Sequence, residues 1–293
     1  MREPDMMAMP ANLVSAAERE GRQAWLSTLP ATIARLRTEW SLEVGAPFQP
    51  GGQTAWVAPV SRDGRDLVVK VLWRHPEAEH EADALQVWAG DGAVRLHAAE
   101  EVDADTVALL LERCRPDTTL ASRPEPEQDL VVAGLLRRLW RPPPTGHRFR
   151  SLQSMCERWA DEFDEATAQQ GSRLDPGLAR EGMAVFRQLP TSADREVLLC
   201  TDLHAGNVLA ADREPWLIID PKPYVGDPAY DVLQHMLNCD ARLFADPRGL
   251  GQRMAGLIEV DVDRVLLWLF ARCVQESPDW PALAAVARRI APG

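Results

Sequence analysis

Apolar residues recur at helical spacing through the first forty positions. Leu13, Ala17, Trp25, Leu29, Ile33, Leu36 and Trp40 fall on one stripe, the period of an amphipathic helix. Pro30 sits inside the stripe. An interior proline removes a backbone donor and clashes with the preceding turn, so the pattern predicts two helices with a break there. From residue 42 the period drops to two, and strands are predicted at 42–48, 54–60 and 66–72. Arg62-Asp63-Gly64-Arg65 joins the last two, and Asp-Gly at that point is a hairpin signal. A helix follows from Pro76, a residue suited to a first turn, to Trp88, with further strands at 93–98 and 106–111. Five strands with one helix after the third make a small antiparallel-sheet lobe.

The texture changes again at Glu112-Arg-Cys-Arg-Pro-Asp117, which reads as a connector ended by a proline. From there to Pro190 the signals are helical, interrupted by 141–146, a proline-rich loop that no helix crosses. A short apolar strand is predicted at 196–201, a second small hairpin from 208–210 and 216–219, and helices from about 228 onward. The expected organisation is α+β: an N-terminal lobe over residues 1–111, a hinge at 112–117 and a helical C-terminal lobe over 118–293.

Composition narrows the classes. At 293 residues, 46% apolar and 26% charged, the chain is an ordinary globular one with room for two lobes. No apolar run approaches the ~18 residues a membrane span needs, so no membrane partner is expected. The start, MREPDMMAMPANLV, carries acids and lacks a basic-then-apolar secretory pattern. The five cysteines (114, 156, 200, 239 and 273) never form a CxxC pair, which suggests reduced thiols in a cytoplasmic protein rather than zinc or disulfides. A net charge of −12 argues against a nucleic-acid partner, which needs a basic footprint. The same charge suits a cationic ligand, or simply keeps the chain soluble.

One imbalance points to chemistry. The 32 basic residues include only two lysines, Lys70 and Lys222. Lys70 lies near the end of the third predicted strand, on the face opposite Val69 and Val71. Lys222 lies two residues after Asp220, which ends the strand Ile218-Ile219-Asp220. Upstream, Cys200-Thr-Asp-Leu-His-Ala-Gly-Asn207 sets Asp202 and Asn207 five apart in a loop between apolar strands, and Asp220 stands thirteen residues further on. Asp, Asn and Gly cluster in plain turns as well. Their placement between two strand pairs, with a following aspartate, is what phosphoryl transfer asks of a loop-built site: one carboxylate for the attacking hydroxyl, and amide and carboxylate oxygens for magnesium.

The string TDLHAGN followed by IID resembles the catalytic loop and metal-binding aspartate of aminoglycoside phosphotransferases, relatives of the protein-kinase fold. The strings Asp-Pro-Lys-Pro and Gly-Asp-Pro-Ala-Tyr-Asp (220–231) are similar to the streptomycin 6-phosphotransferase and hydroxyurea phosphotransferase branch. The resemblance implies a protein-kinase-like two-lobe fold that uses ATP and Mg. It implies that Asp202 is the catalytic base or hydroxyl-orienting group, that Asn207 and Asp220 are magnesium ligands, and that His204 makes a structural hydrogen bond. It further implies that Asp231 buttresses the loop through backbone amides. The family more often has His-Gly-Asp where this chain has Cys200-Thr201-Asp202, so the turn before the base is expected to differ. In the N-terminal lobe it implies that Lys70 reaches the nucleotide phosphates and is held by a helix glutamate, with Glu81 matching better than Glu77 or Glu79. Gly51, Gly52 and Gln53 are nominated by resemblance as the nucleotide-covering loop, and backbone groups near Glu112 and Cys114 as the adenine contact. Lys222 could sense phosphate or be an exposed loop lysine.

The acceptor implied is a small molecule, a cationic aminoglycoside such as streptomycin, with hydroxyurea or another metabolite as alternative. On helix 156–166, Glu157, Asp161, Asp164 and Glu165 share one face. They could hold a polycation, or form the solvated face of an amphipathic helix with Trp159 and Phe163 inward. A catalytically idle nucleotide-binding protein on this fold has no need of Lys70, Asp202, Asn207 and Asp220 together. A protein kinase is disfavoured because no Phe-Gly follows Asp220.

Overall fold

In the computed structural model, which describes residues 8–170 and 174–292, Asp63 and Gly64 both take the left-handed conformation (φ 53° and 73°). They close a two-residue hairpin between β2 (Ala55–Arg62) and β3 (Arg65–Trp73), because that turn type matches the strands' own twist. With β1 (Glu43–Val44), β4 (Leu96–Glu101) and β5 (Thr106–Glu112) these strands form an antiparallel sheet of five, in the order β1-β2-β3-β5-β4. The strand predicted over 42–48 is thus only two residues long.

One face of the sheet is covered by α1 (Ala11–Arg19) and α2 (Gln23–Glu39). Leu13, Ala17, Trp25, Leu29, Ile33 and Leu36 pack there with Trp56, Ala58, Val69, Val71 and Trp73. The break between the helices is not at Pro30. It falls at Gly21, whose φ of +66° lets Arg22 N–H reach back to the Ala17 carbonyl, a glycine-dependent helix stop. Pro30 lies inside α2. The roughly 3 kcal/mol an interior proline costs is offset there by the buried stripe that continues on both sides of it. The helix expected over 76–88 is likewise divided, into a single turn at Pro76–Ala78 and α3 (Glu81–Trp88).

The chain clusters into two units: one runs to Arg115 and includes Ala211–Arg213, and the other holds Pro116–Ala210 and continues from Glu214. The boundary at Arg115/Pro116 falls within 112–117, where β5 ends at Glu112 and β6 (Arg115–Thr119) begins. The second unit is mainly helical: α4 (Glu125–Leu139), α5 (Leu152–Gln170), α6 (Pro176–Gln188), α7 (Leu233–Leu237), α8 (Asp240–Ala245), α9 (Pro247–Ile258), α10 (Val262–Gln275) and α11 (Leu283–Ile290). The apolar α10 is its axis and packs on α6, α9 and α11. Gly182 permits the approach of α6, since a Cβ there would sit 2.6 Å from Val274. Two short ladders carry the loops of interest. β7 (Val197–Leu199) pairs with β10 (Tyr224–Gly226), and β8 (Val208–Ala210) with β9 (Leu217–Ile218). The predicted hairpin 208–219 is therefore present, whereas β6 and β10 carried no clear sequence signal. Among the described residues no helix is long and apolar enough to cross a membrane.

Candidate active site

In the first unit, alternation along β3 sends Val69 and Val71 to the helix-covered face and Lys70 to the other. Lys70 Nζ meets both carboxylate oxygens of Glu81, at 2.8 and 2.6 Å, and the two residues are only 6% and 1% exposed. Of the three helix glutamates, Glu81 is thus the one on the lysine. Removing a lysine and a glutamate from water is costly unless they are paired and hydrogen-bonded, and a bidentate contact meets that condition. The Gly51-Gly52-Gln53 loop is tied to α1: Asn12 donates from its backbone to Pro50 and from Nδ2 to the Gly51 carbonyl, and Arg19 donates to Gln53. Glu112 has its N–H on the Arg95 carbonyl, and its carboxylate takes Arg213 and the Arg95 N–H. Burial pushes the Glu112 carboxyl up, but Arg213 and Arg95 together outweigh it and the net direction is down. Cys114 is buried and its thiol is pushed up to about 12, chiefly by burial.

In the second unit, β7 delivers the chain into the loop that bears Asp202. Thr201 has φ +50° and Asp202 N–H bonds the Cys200 carbonyl, so the backbone reverses tightly before the aspartate. Asn207 Nδ2 donates to the Asp202 carbonyl at 3.1 Å and more weakly to Oδ2 at 3.4 Å. That spends the donor end of the Asn207 amide and leaves its oxygen for a cation. The Asn207 carbonyl accepts the N–H of Ile219, and so holds the asparagine beside the strand that ends in Asp220, itself at φ +52°. Asp202, Asn207 and the segment that ends in Asp220 are thereby tied together by one side-chain and one backbone hydrogen bond. Asp220 and Asn207 offer hard oxygens, which is the chemistry magnesium takes. Lys222 Nζ lies 3.1 Å from Asp220 Oδ1, so the second lysine is partnered to the aspartate rather than loose in solvent.

His204 accepts the Gly206 N–H on Nδ1, and burial lowers its pKa. A neutral ring with its proton on Nε2 fits that bond. Asp231 is fully buried, and its carboxylate accepts the N–H groups of Cys200 and Thr201 and the indole N–H of Trp140. Trp140, which follows α4, carried no signal for this role. A cavity of about 670 Å³ in this unit is lined by Trp140, Arg195, Asp227 and Arg264, among others, and by none of Asp202, Asn207 and Asp220.

Comparison with known proteins gives the family. The family model for aminoglycoside/hydroxyurea antibiotic resistance kinases matches residues 42–282. The chain belongs to this family. It is 33% identical over 290 residues to streptomycin 6-kinase of Streptomyces griseus, covering 94% of this chain and 92% of that one. It is 35% identical over 279 residues to hydroxyurea phosphotransferase of Kitasatospora aureofaciens, covering 92% and 79%. A thermostable mutant of an aminoglycoside phosphotransferase, solved with ADP and hygromycin B, shares the fold at a TM-score of 0.55 and 13% identity over 88% of this chain and 95% of that one.

Within this kinase of the resistance family the acidic helix face is partly engaged by the fold. Asp161 and Asp164 on α5 both pair with Arg187 of α6, at 3.0 and 2.7 Å, and Glu157 accepts from Gln153. Trp159 is half-buried and Phe163 buried, and Asp161 and Asp164 of the row pair α5 with α6. Glu165 is exposed on the same helix. Among the described residues, Asp129, His235 and Cys239 come within metal-ligand range of one another. Asp129, however, already accepts from His235, Arg242 and Arg253. A divalent cation there would face two guanidinium groups, and the cluster is an internal ion pair.

Proposed function

We propose that this kinase transfers the γ-phosphoryl group of ATP to a hydroxyl of an aminoglycoside, streptomycin in the first instance, in the cytoplasm. The observation that carries this reading is the Asp202–Asn207–Asp220 constellation, held by the Asn207 bonds to Asp202 and Ile219. The buried Lys70–Glu81 pair of the first unit supports it, as does the five-cysteine set, all free and buried, which suits a reducing compartment.

In the proposed reaction Asp202 orients the acceptor hydroxyl and takes its proton. The acceptor oxygen forms a bond to the γ-phosphorus as the bond to the β-phosphate oxygen breaks, leaving ADP. Lys70, fixed by Glu81, neutralises charge on the α- and β-phosphates. The Gly51–Gln53 loop covers the nucleotide, and main-chain groups near Glu112 and Cys114 contact the base; at Glu112 this falls to the carbonyl, because the N–H is on Arg95. Asn207 and Asp220 hold the magnesium, which supplies charge neutralisation on the transferring phosphates. Asp231 and His204 keep the loop in shape.

The test is magnesium–ATP turnover against streptomycin, other aminoglycosides and hydroxyurea, read by mass spectrometry. A product heavier by one phosphoryl group is expected with streptomycin. Asp202→Ala should lower kcat by roughly 10²–10⁴-fold while nucleotide still binds. Near-normal turnover in that variant removes Asp202 from the mechanism. Phosphorylation of hydroxyurea alone moves the acceptor to the other named branch of the family.

A further inference from the structure

Among the described residues, six non-glycine positions have positive φ. Ser41, Ala89 and Glu259 lie where a helix ends and Asp63 lies in a hairpin, places where a left-handed residue is ordinary. Thr201 and Asp220 are different, because they flank the candidate site. Thr201 is also β-branched, and for such a residue the left-handed region is an outlier that persists only when its surroundings over-determine it.

The surroundings do so. The Thr201 N–H is held by Asp231 Oδ1 at 2.6 Å. Its hydroxyl donates to the Lys222 carbonyl at 2.5 Å, and Lys222 N–H returns a bond to the Cys200 carbonyl at 2.9 Å. Residues 200–201 and 222 are thus stitched together twice, one stitch being the threonine hydroxyl. One end of the stitch is a residue from Asp202 and the other is two residues from Asp220.

We propose that Thr201 is a positioning residue whose hydroxyl bridges the Asp202 loop to the Asp220 segment and so sets the metal-binding geometry. The inference rests on the reading of Asn207 and Asp220 as the magnesium ligands. A glycine would take the same φ more easily but would leave the Lys222 carbonyl without its hydroxyl partner. The hydroxyl is therefore the feature this chain gains by tolerating threonine there.

The experiment is calorimetric titration with a non-hydrolysable ATP analogue, with and without magnesium, so no acceptor is needed. The quantity read is the magnesium increment, the ratio of the two affinities. Thr201→Val and Thr201→Gly should each lower it about five- to tenfold, the worth of roughly one hydrogen bond. Thr201→Ser should restore it to within about twofold. Affinity without magnesium should be the same in all. Two results overturn the proposal: a full increment in the Val and Gly variants, or an equal loss of affinity with and without magnesium. Asp220→Ala separates the two levels of argument. An increment that survives Asp220→Ala removes the metal-site reading and this inference with it. One that is lost in Asp220→Ala but kept in Thr201→Gly overturns the inference alone.

Discussion

Asp129 and Asp231 are both completely buried in the second unit, and each accepts hydrogen bonds from three residues. Their partners differ in kind. Asp129 faces the guanidinium groups of Arg242 and Arg253 and the ring of His235. Among the described residues Asp231 faces neutral N–H dipoles: two amides at the start of the Asp202 loop and the Trp140 indole. Burial raises both carboxyls. At Asp129 the hydrogen bonds from His235, Arg242 and Arg253 outweigh it and hold the group well below the usual carboxylate range. At Asp231 burial prevails, and the carboxyl is pushed up to about 6. Burial therefore sets a penalty common to both sites, and the charge of the neighbours decides the outcome. The structural anchor is locked in one ionisation state. The brace of the Asp202 loop is not.

Breaking the locked site should give the largest effect. Asp129→Ala would leave Arg242, Arg253 and His235 facing an empty carboxylate position between α4, α7, α8 and α9. Losing one partner of a buried pair costs roughly 3–5 kcal/mol, and the lower end applies because both arginines keep some contact with water. Urea unfolding should show that loss. Nucleotide binding by the protein that remains folded should be unchanged. A midpoint equal to the wild type's would mean that the ion pair contributes little.

The second comparison uses pH. The folded-state pKa of Asp231, about 6, is above its ordinary 3.8. Its stability contribution is therefore full below about 3.8 and is lost as pH rises through about 6. Asp129 is shifted the other way, so its contribution is present above 3.8 and is lost only as pH falls below that. In Asp231→Asn the ionisation is gone. The wild type's stability advantage over that variant should shrink by about 2–3 kcal/mol between pH 4 and 6 and stay flat above. Unfolding at pH 4.5, 6 and 7.5 checks this. A difference that does not change with pH would show that Asp231 titrates at its ordinary value in the fold.

The contrast also shows what a sequence can carry. The Asp231 buttress was legible only through the family resemblance of the Gly-Asp-Pro-Ala-Tyr-Asp string, because the amides it holds, those of Cys200 and Thr201, lie about thirty residues away. Lys70 was legible through strand alternation and the scarcity of lysine. Glu81 followed from its match to the family's helix glutamate, though two neighbouring glutamates competed with it. Trp140 was not legible. Its indole lies ninety-one residues from Asp231, and nothing local marks a tryptophan as a donor to one buried carboxylate. Thr201 was visible as a departure in the turn, but not as a left-handed residue, because φ leaves no trace in residue type except where glycine stands. The sequence left the acidic face of α5 open between a ligand row and a solvated face, and could not show the pairing of Asp161 and Asp164 with Arg187, because that arginine is on another helix. Pro30 failed as a break because local propensity yields to a buried stripe that extends past it. β6 and β10 were missed for a related reason, being short pieces whose pairing partners are distant in sequence.

The smallest and most diagnostic change is Trp140→Phe. It keeps an aromatic ring against the Arg195 guanidinium, 5.8 Å from the ring centre, and removes only the N–H that reaches Asp231 at 2.9 Å. A hydrogen bond to an ionised acceptor is worth about 1.5 kcal/mol, and it is worth less once the carboxyl is protonated. The variant should therefore be less stable than wild type by about that amount at pH 7.5, with the deficit narrowing towards pH 4.5. Because the indole helps keep Asp231 ionised, its loss should also carry the upper edge of the Asp231 pH window above 6. A deficit of equal size at both pH values would mean that Trp140 contributes by packing alone. The hydrogen bonds that hold Asp231 in place would then be those of the two backbone amides of the Asp202 loop.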